Sequence, residues 1–396
     1  MSIDLIGQYT KVIRVRRVIM HILFAGGGTA GHINPALAVA NYIKTVRPDT
    51  TISYIGTANG LESRLVPAAG YDFYTIEVAG FQRKQSLQNI KKNIAAIGKA
   101  VNGSLASKKL LKELKPDVVV GTGGYVSGPV LRQAAKLGIK TAIHEQNAFP
   151  GVTTKMLLYS ADKVMLAMPE AKERLKFDRE YIITGNPIRN SLITANRSES
   201  RKKLGLAAGE KLVLSFGGSL GARAINESMA GVIKHAADNG DFCVYHATGR
   251  SGYNGMIELM NETGIETNSH CVRVVEYIDN MNELLAAADL VICRAGAITL
   301  GELEACGKPS ILIPSPYVAE NHQYFNALTL KDNGAAELIE EKDLTSERLL
   351  SEVFALVSND ERLKSMSENA RRIAITGADK KIADVIFELA ESSGKK

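Results

Sequence analysis

The sequence is poor in cysteine. Its four, Cys243, Cys271, Cys293 and Cys306, include no CxxC pair and no run at metal-ligand spacing. A disulfide framework and the familiar local zinc motifs are therefore excluded, and buried free thiols in a reducing compartment are expected. No apolar run approaches the ~18 residues that a membrane span needs. Short-period repeats and low-complexity tracts are absent, which removes solenoids and disordered arrays. No GxxxxGK[ST] occurs, so a P-loop nucleotidase is not indicated. "GGGTAG" at 26–31 satisfies GxGxxG, but the following strand ends "YIGTANG", with no carboxylate before Glu62 to hold a ribose. The dinucleotide reading loses most of its support there. Nor does a DxD-like pair of carboxylates stand at any strand end.

What is present is an alternation of strand and helix. A length of 396 residues predicts two domains, and 45% hydrophobic with 23% charged residues is ordinary for a globular chain. The net charge of +6 allows an anionic partner without naming one, and no nucleic acid is expected. "TISYIG" (51–56), "DFYTIEV" (72–78), "DVVVGTGG" (117–124), "KTAIHEQ" (140–146) and "KVMLAM" (163–168) read as strands with helical segments between them. A polar stretch over 186–210 reads as a hinge or linker. The pattern then restarts at "KLVLSFGGSLGARAINESMA" (211–230), followed by "FCVYHATG", "CVRVVEYI", "DLVICRAG" and "PSILIPSP". The expected fold class is α/β, with two doubly wound Rossmann-like domains facing across a cleft. Residues 1–19 are expected to be an N-terminal extension ahead of a first domain over 20–188. A second domain spans 189–373, and a last helix at about 374–396 is expected to pack back on the first.

Four glycine-rich turns each follow a strand and open a helix: 26–31, 121–129, 217–223 and 293–302. One such turn is commonly plain packing. Four at the carboxyl ends of parallel strands, in both halves, favour a ligand cleft between domains, where helix N-termini meet an anion. At the first turn Asn34 reads as a helix cap, with Pro35 in the first helical turn. Thr299 and Glu302 have capping-box spacing, and that spacing alone does not separate a cap from a carboxylate reading ribose hydroxyls.

"GGGTAGHINPALAVA", "GTGGYVSGP", "HEQNAFPGVTTK", "GNPIR", "GGSLGARAIN" and "RAGAITLGELEACGKPSILIPSPYVAENHQYFNA" together resemble the MurG family, from about Met20 to the C-terminus and in the family's order. These are peptidoglycan GlcNAc-transferases of the GT-B glycosyltransferase fold. The resemblance implies inverting transfer of GlcNAc from UDP-GlcNAc to the C4 hydroxyl of MurNAc in undecaprenyl-linked lipid I, giving lipid II. It places donor contacts on Thr29, Ala30, Gly31, Asn147, Arg189 and Ser219, and a uracil contact on the Ile278 backbone. Ala297, Ile298, Thr299, Leu300, Gly301 and Glu302 fall at the phosphate and ribose, and Gln323 at the sugar. Gly123, Gly124 and Tyr125 fall on the acceptor side, with His32 or its rival Glu145 as the catalytic base and His144 behind them. Ala30, Leu220 and His322 depart from residues common in the family, and His322 leaves open which side chain reads the sugar.

The resemblance further implies a peripheral enzyme on the cytoplasmic face of the plasma membrane, and it allows other cell-wall synthesis proteins as partners. Segment 81–115 carries nine Lys or Arg against Glu113 alone, beside a stripe of Ile90, Ile94, Ile97 and Val101. Such a stripe is usually core and such lysines are usually solvated, but the combination also suits an anionic membrane surface. No tightly bound cofactor is expected; a divalent cation is allowed, but no motif predicts one. Two other enzyme classes stay open on the residues alone: a different GT-B transferase acting on a lipid, and a hydrolase or epimerase of UDP-GlcNAc. A non-catalytic nucleotide-sugar module is the third alternative.

Overall fold

The computed structural model describes residues 19–78, 102–218 and 220–393. Among the described residues thirteen strands form two sheets, each wholly parallel. The first comprises β1 (His21–Ala25), β2 (Thr51–Gly56), β3 (Asp72–Thr75), β4 (Val118–Gly121), β5 (Lys140–Glu145), β6 (Lys163–Leu166) and β7 (Ile182–Ile183), in the order β3-β2-β1-β4-β5-β6-β7. The second comprises β8 (Leu212–Phe216), β9 (Cys243–Ala247), β10 (Val272–Val275), β11 (Leu290–Cys293), β12 (Ser310–Leu312) and β13 (Ala336–Leu338), in the order β10-β9-β8-β11-β12-β13.

The central strands read as unbroken apolar runs because both of their faces are covered. Ile22 and Phe24 face the helix Ala30–Val46 and the last helix, Ala378–Ser393, while Leu23 and Ala25 face the opposite layer with Val130 and Leu131. In the second sheet Val213 and Ile292 pack on one side, and Leu212, Leu214 and Val291 on the other. β1 lies between β2 and β4, and β8 between β9 and β11. Each sheet thus reverses its winding at the strand that carries a glycine turn, and that reversal opens a crevice at the strands' carboxyl ends. The chain passes between the sheets near Gly185 and returns near Ile375. The two crossings touch: a Cβ on Gly185 would fall 2.7 Å from Ile375 Cγ2.

Three expectations are corrected. The first helix begins at Ala30, with Thr29 extended at its N-cap, not at Asn34; Pro35 lies inside it. The reason is that the glycine turn itself supplies the first helical turn, His32 N and Ile33 N donating to the Thr29 carbonyl. The 186–210 stretch is no linker: it forms helices Asn190–Ile193 and Arg197–Lys203 and is clamped to the second domain. Arg197 Nη1 donates to the carbonyls of Ala287 and Ala288, both at 2.9 Å, and its Nη2 pairs with Asp289 at 2.7 Å. Charge that reads as solvated in the sequence here satisfies the open C-terminus of a helix. Finally, Cys243 and Cys293 are buried, but Cys271 and Cys306 are only half-buried; all four are free. The proposed extension lies outside the described residues through position 18, as do Ser219 and most of 81–115.

Candidate active site

The first glycine turn rests on a buried carboxylate. Glu62 Oε1 accepts from the Thr57 N–H (3.0 Å) and hydroxyl (2.7 Å), and Oε2 accepts from the Gly28 N–H (3.1 Å). Burial pushes its carboxyl up, but those hydrogen bonds outweigh burial and hold it below the usual carboxylate range. A Cβ on Gly27 would fall 2.4 Å from Glu62 Oε1, which is why glycine stands there. In the sequence Glu62 stands out only as a carboxylate too far beyond β2 to hold a ribose. The second turn interlocks with the first: Gly124 has φ +78°, and a Cβ on it would fall 2.3 Å from the Gly27 carbonyl oxygen.

His32 sits where the two turns meet. Its Nδ1 lies 3.0 Å from the Gly27 carbonyl oxygen and 3.3 Å from Thr29 Oγ1. A carbonyl only accepts, so Nδ1 carries the proton and Nε2 keeps a lone pair. A Cβ on Gly123 would strike the ring, 2.7 Å from Cδ2. Thr29, Ala30, Gly31 and Tyr125 are exposed around it.

Glu145, expected as the rival base, is held by its own loop. It is buried, and its oxygens accept from Asn147 N and Nδ2 (both 3.1 Å), Gly151 N (2.9 Å) and Thr154 Oγ1 (2.6 Å). Four donors from one loop leave this carboxylate committed to holding 145–154. The Asn147 side chain, expected on the donor, is engaged at both ends as well, since its Oδ1 accepts from Asn326 Nδ2 at 3.2 Å. Asn326 is fully buried; its Oδ1 accepts from Ala148 N (2.9 Å), and Nδ2 also donates to the Ala295 carbonyl (3.2 Å). Asn186 makes a second tie, donating to the carbonyls of Gln146 (3.1 Å) and Ala297 (3.2 Å). Phe149 stacks on Phe325 at 4.8 Å beside them. Neither asparagine is singled out by the sequence as a site residue. The available signal was a polar residue at buried helical spacing with Ala327 and Leu330 in the helix His322–Asp332.

Across the cleft, the helix Ala297–Cys306 starts after Gly296, which is extended and serves as N-cap. Thr299 is therefore the third helical residue, and the capping-box reading of Thr299 and Glu302 is withdrawn. The N–H groups of Ala297, Ile298 and Thr299 precede the first i→i−4 bond, made by Leu300 N to the Gly296 carbonyl, and remain available to an anion. Leu300, expected at the donor, is completely buried, and its N–H is taken by the Gly296 carbonyl. Gly301 lies beside Asn186 and Ile188. Glu302 Oε1 accepts from Arg189 Nε (3.1 Å) and Nη2 (3.0 Å). Burial pushes the Glu302 carboxyl up, and Arg189 pulls it back. The Ile278 side chain is buried. Arg294 donates to the carbonyls of Ile313 and Pro314 and pairs with Glu341, so it orders its loop.

Glu320 and Asn321 both have positive φ (+56° and +50°) in successive non-glycine residues, a strained delivery of His322 and Gln323. His322 Nδ1 donates to the Ala319 carbonyl at 2.7 Å. Burial pushes its pKa down, and Glu145 and His32 lie near enough from the other domain to act on it electrostatically. Gln323 Oε1 accepts from Ser315 N at 2.9 Å.

Comparison with known proteins then decides the family. Residues 22–166 match the glycosyltransferase family 28 N-terminal domain, and residues 212–386 match the family 28 C-terminal domain. The chain is 45% identical over 374 residues to the UDP-N-acetylglucosamine–N-acetylmuramyl-(pentapeptide) pyrophosphoryl-undecaprenol N-acetylglucosamine transferase of Acetivibrio thermocellus, covering 94% of this chain and 99% of that one. The chain belongs to the MurG family. A solved MurG of Acinetobacter baumannii superimposes with a TM-score of 0.76 at 29% identity, over 93% of this chain and 99% of that one. A UDP-N-acetylglucosamine 2-epimerase shares the fold alone, with a TM-score of 0.64 at 15% identity over 94% and 97% of the two chains.

In this MurG-family chain the domain junction also sets an acid limit. Burial pushes His144 down from the ordinary 6.5 to about 4, against the opposing pull of the Gly185 carbonyl and of Glu145. His144 Nε2 donates to the Gly185 carbonyl at 3.0 Å, and Gln146 Nε2 donates to its Nδ1 at 3.1 Å. Buried His246 in β9 is held equally low, by burial first. Both folded-state values lie below the unfolded one, so the unfolded chain takes up protons first as pH falls. The contribution of these two histidines to stability is expected to fall from pH 6.5 towards about 4, each by ~1.4 kcal/mol per pH unit, offset in part above pH 4.5 by Glu304, whose carboxyl burial pushes up to about 8. Urea midpoints across the window check this, and a flat profile would contradict it.

Proposed function

We propose that this chain transfers GlcNAc from UDP-GlcNAc to the C4 hydroxyl of MurNAc in lipid I, with inversion, giving lipid II. The observation that carries the reading is the near-full-length identity to the Acetivibrio transferase, on a fold whose two glycine-turn crevices face each other. The leaving UDP gains negative charge as the C1–O bond to phosphate breaks. The free N–H groups of Ala297–Thr299 at a helix N-terminus meet that charge. Glu302, aligned by Arg189, accepts from the ribose hydroxyls. His32 Nε2 takes the proton of the C4 hydroxyl as its oxygen bonds to C1 from the opposite face. Asn326 and Asn186 set the spacing between the domains that brings the two substrates into line. UDP release that depends on a lipid I analogue tests this: release without acceptor would indicate a hydrolase, and C2 inversion without release an epimerase.

A lipid-linked acceptor is met at a membrane surface. Among the described residues no helix is long and apolar enough to cross a membrane. Lys108, Lys109, Lys112 and Lys115 are exposed beside half-exposed apolar surface that includes Leu105. These features support peripheral association through 81–115 on the cytoplasmic leaflet. Each Lys near an anionic surface contributes ~1 kcal/mol of salt-sensitive attraction. Replacing Lys91, Lys92 and Lys99 with Gln is therefore expected to weaken binding to anionic vesicles while sparing a short-chain soluble acceptor. Unchanged co-sedimentation at low salt would show that these lysines are merely solvated.

A further inference from the structure

At the amino ends of the second sheet's strands, the end away from the cleft, four ligand-capable side chains converge. Glu210 stands two residues before β8, Cys243 opens β9, and His270 and Cys271 immediately precede β10. Val272 pairs with Val244, so parallel register sets Cys271 beside Cys243. Their Sγ atoms are 3.0 Å apart, and His270 Nε2 lies 2.6 Å from Glu210 Oε1. One donor atom of each residue lies within 4.8 Å of every other, the only such group of His, Cys, Asp and Glu among the described residues.

We infer that Cys243 Sγ, Cys271 Sγ, His270 Nε2 and a Glu210 carboxylate oxygen form a tetrahedral site for a divalent cation of the Zn²⁺ kind. Two thiolates with an imidazole favour zinc over magnesium or calcium, and four protein ligands make a closed, structural site. Zinc–ligand distances of ~2.0–2.3 Å put neighbouring donors ~3.3–3.8 Å apart, so the two short pairs need to open by less than ~1 Å and the widest separation, at most 4.8 Å, needs to close by about 1–1.5 Å. The outer shell is present. Ala207 N donates to Glu210 Oε2 at 2.5 Å and orients the carboxylate. Arg201 donates to the Glu210 carbonyl and acts electrostatically on both Glu210 and Cys243, offsetting the single excess negative charge of two thiolates and a carboxylate around a dication. Binding of the cation releases the two thiol protons to solvent. Exposed His270 gives the ion a way in. The site would fasten the segment before β8 to β9 and to edge strand β10.

The test uses the full chain, purified reduced and metal-free and titrated with Co²⁺ and then Zn²⁺. The expected result is one Co²⁺ per chain, with a thiolate-to-cobalt charge-transfer band and d–d bands of tetrahedral intensity, displaced by Zn²⁺. Zn²⁺ should also raise Tm, and a chelator should reverse the rise. Cys271→Ser and His270→Ala, both at the surface side of the cluster, should each weaken Zn²⁺ at least ~100-fold, beyond the usual effect of an outer-shell change. Cys306→Ser, outside the cluster, should leave binding intact. The inference is overturned if the reduced chain gives no thiolate–cobalt band, or if Zn²⁺ binding survives both ligand variants. It is also overturned if Cys243 and Cys271 are isolated as a disulfide that reduction does not convert to a metal-binding form.

Discussion

His32→Ala is expected to lower kcat by ~10²–10⁴-fold with UDP affinity almost unchanged. The imidazole lies where the turns of β1 and β4 interlock. The Gly27 carbonyl fixes Nδ1 as the protonated nitrogen and leaves Nε2 as the acceptor. Glu145, the other candidate, already accepts four hydrogen bonds from its own loop, and freeing it would unmake that loop. His32 Nε2 is therefore the proposed acceptor for the proton of the attacking hydroxyl. Steady-state kinetics alongside UDP titration separate the two quantities. A variant with near-native kcat across pH would remove His32 from the chemistry and reduce the first turn to a cradle.

Glu302→Ala is expected to weaken donor use by roughly 10- to 150-fold, the worth of hydrogen bonds to a charged acceptor at ~1.5–3 kcal/mol. With Gly296 as the N-cap of its helix, the substitution removes no cap. The orphaned Arg189, whose side chain is 60% exposed, is resolvated at little cost to stability. The diagnostic comparison is 2′-deoxy-UDP-GlcNAc. It should be a poor donor for the native chain, and the penalty should largely vanish in Glu302→Ala, because the partner of the missing hydroxyl has gone. An equal penalty in both proteins would exclude ribose recognition by this carboxylate.

What was legible in the sequence is what the chain encodes locally. "TISYIG" is β2 from end to end, its Ile52, Tyr54 and Ile55 being of the β-branched and aromatic types that fit a buried strand. The four glycine turns were legible because tight strand-to-helix turns select residues without a side chain. The helix starts were less so: at Thr29 and Gly296 the backbone caps itself, and the polar residues that looked like caps, Asn34 and Thr299, lie inside the helices. Interactions between distant segments left no such mark. Asn326 and Asn147 are 179 positions apart and meet only when the domains close on each other. Glu62 looked like an acid in the wrong place for a ribose, whereas its three donors come from the turn and loop that fold over it. Cys243 and Cys271, 28 positions apart, match no metal-binding spacing; sheet register alone makes them neighbours.

The most direct test of the central claim is the product itself. Incubated with UDP-GlcNAc and a lipid I analogue, the chain is predicted to release one UDP for each disaccharide formed. NMR of that disaccharide should show a β linkage from GlcNAc C1 to the MurNAc C4 oxygen. An α linkage, attachment at another hydroxyl, or conversion of UDP-GlcNAc with the acceptor left untouched would contradict the account.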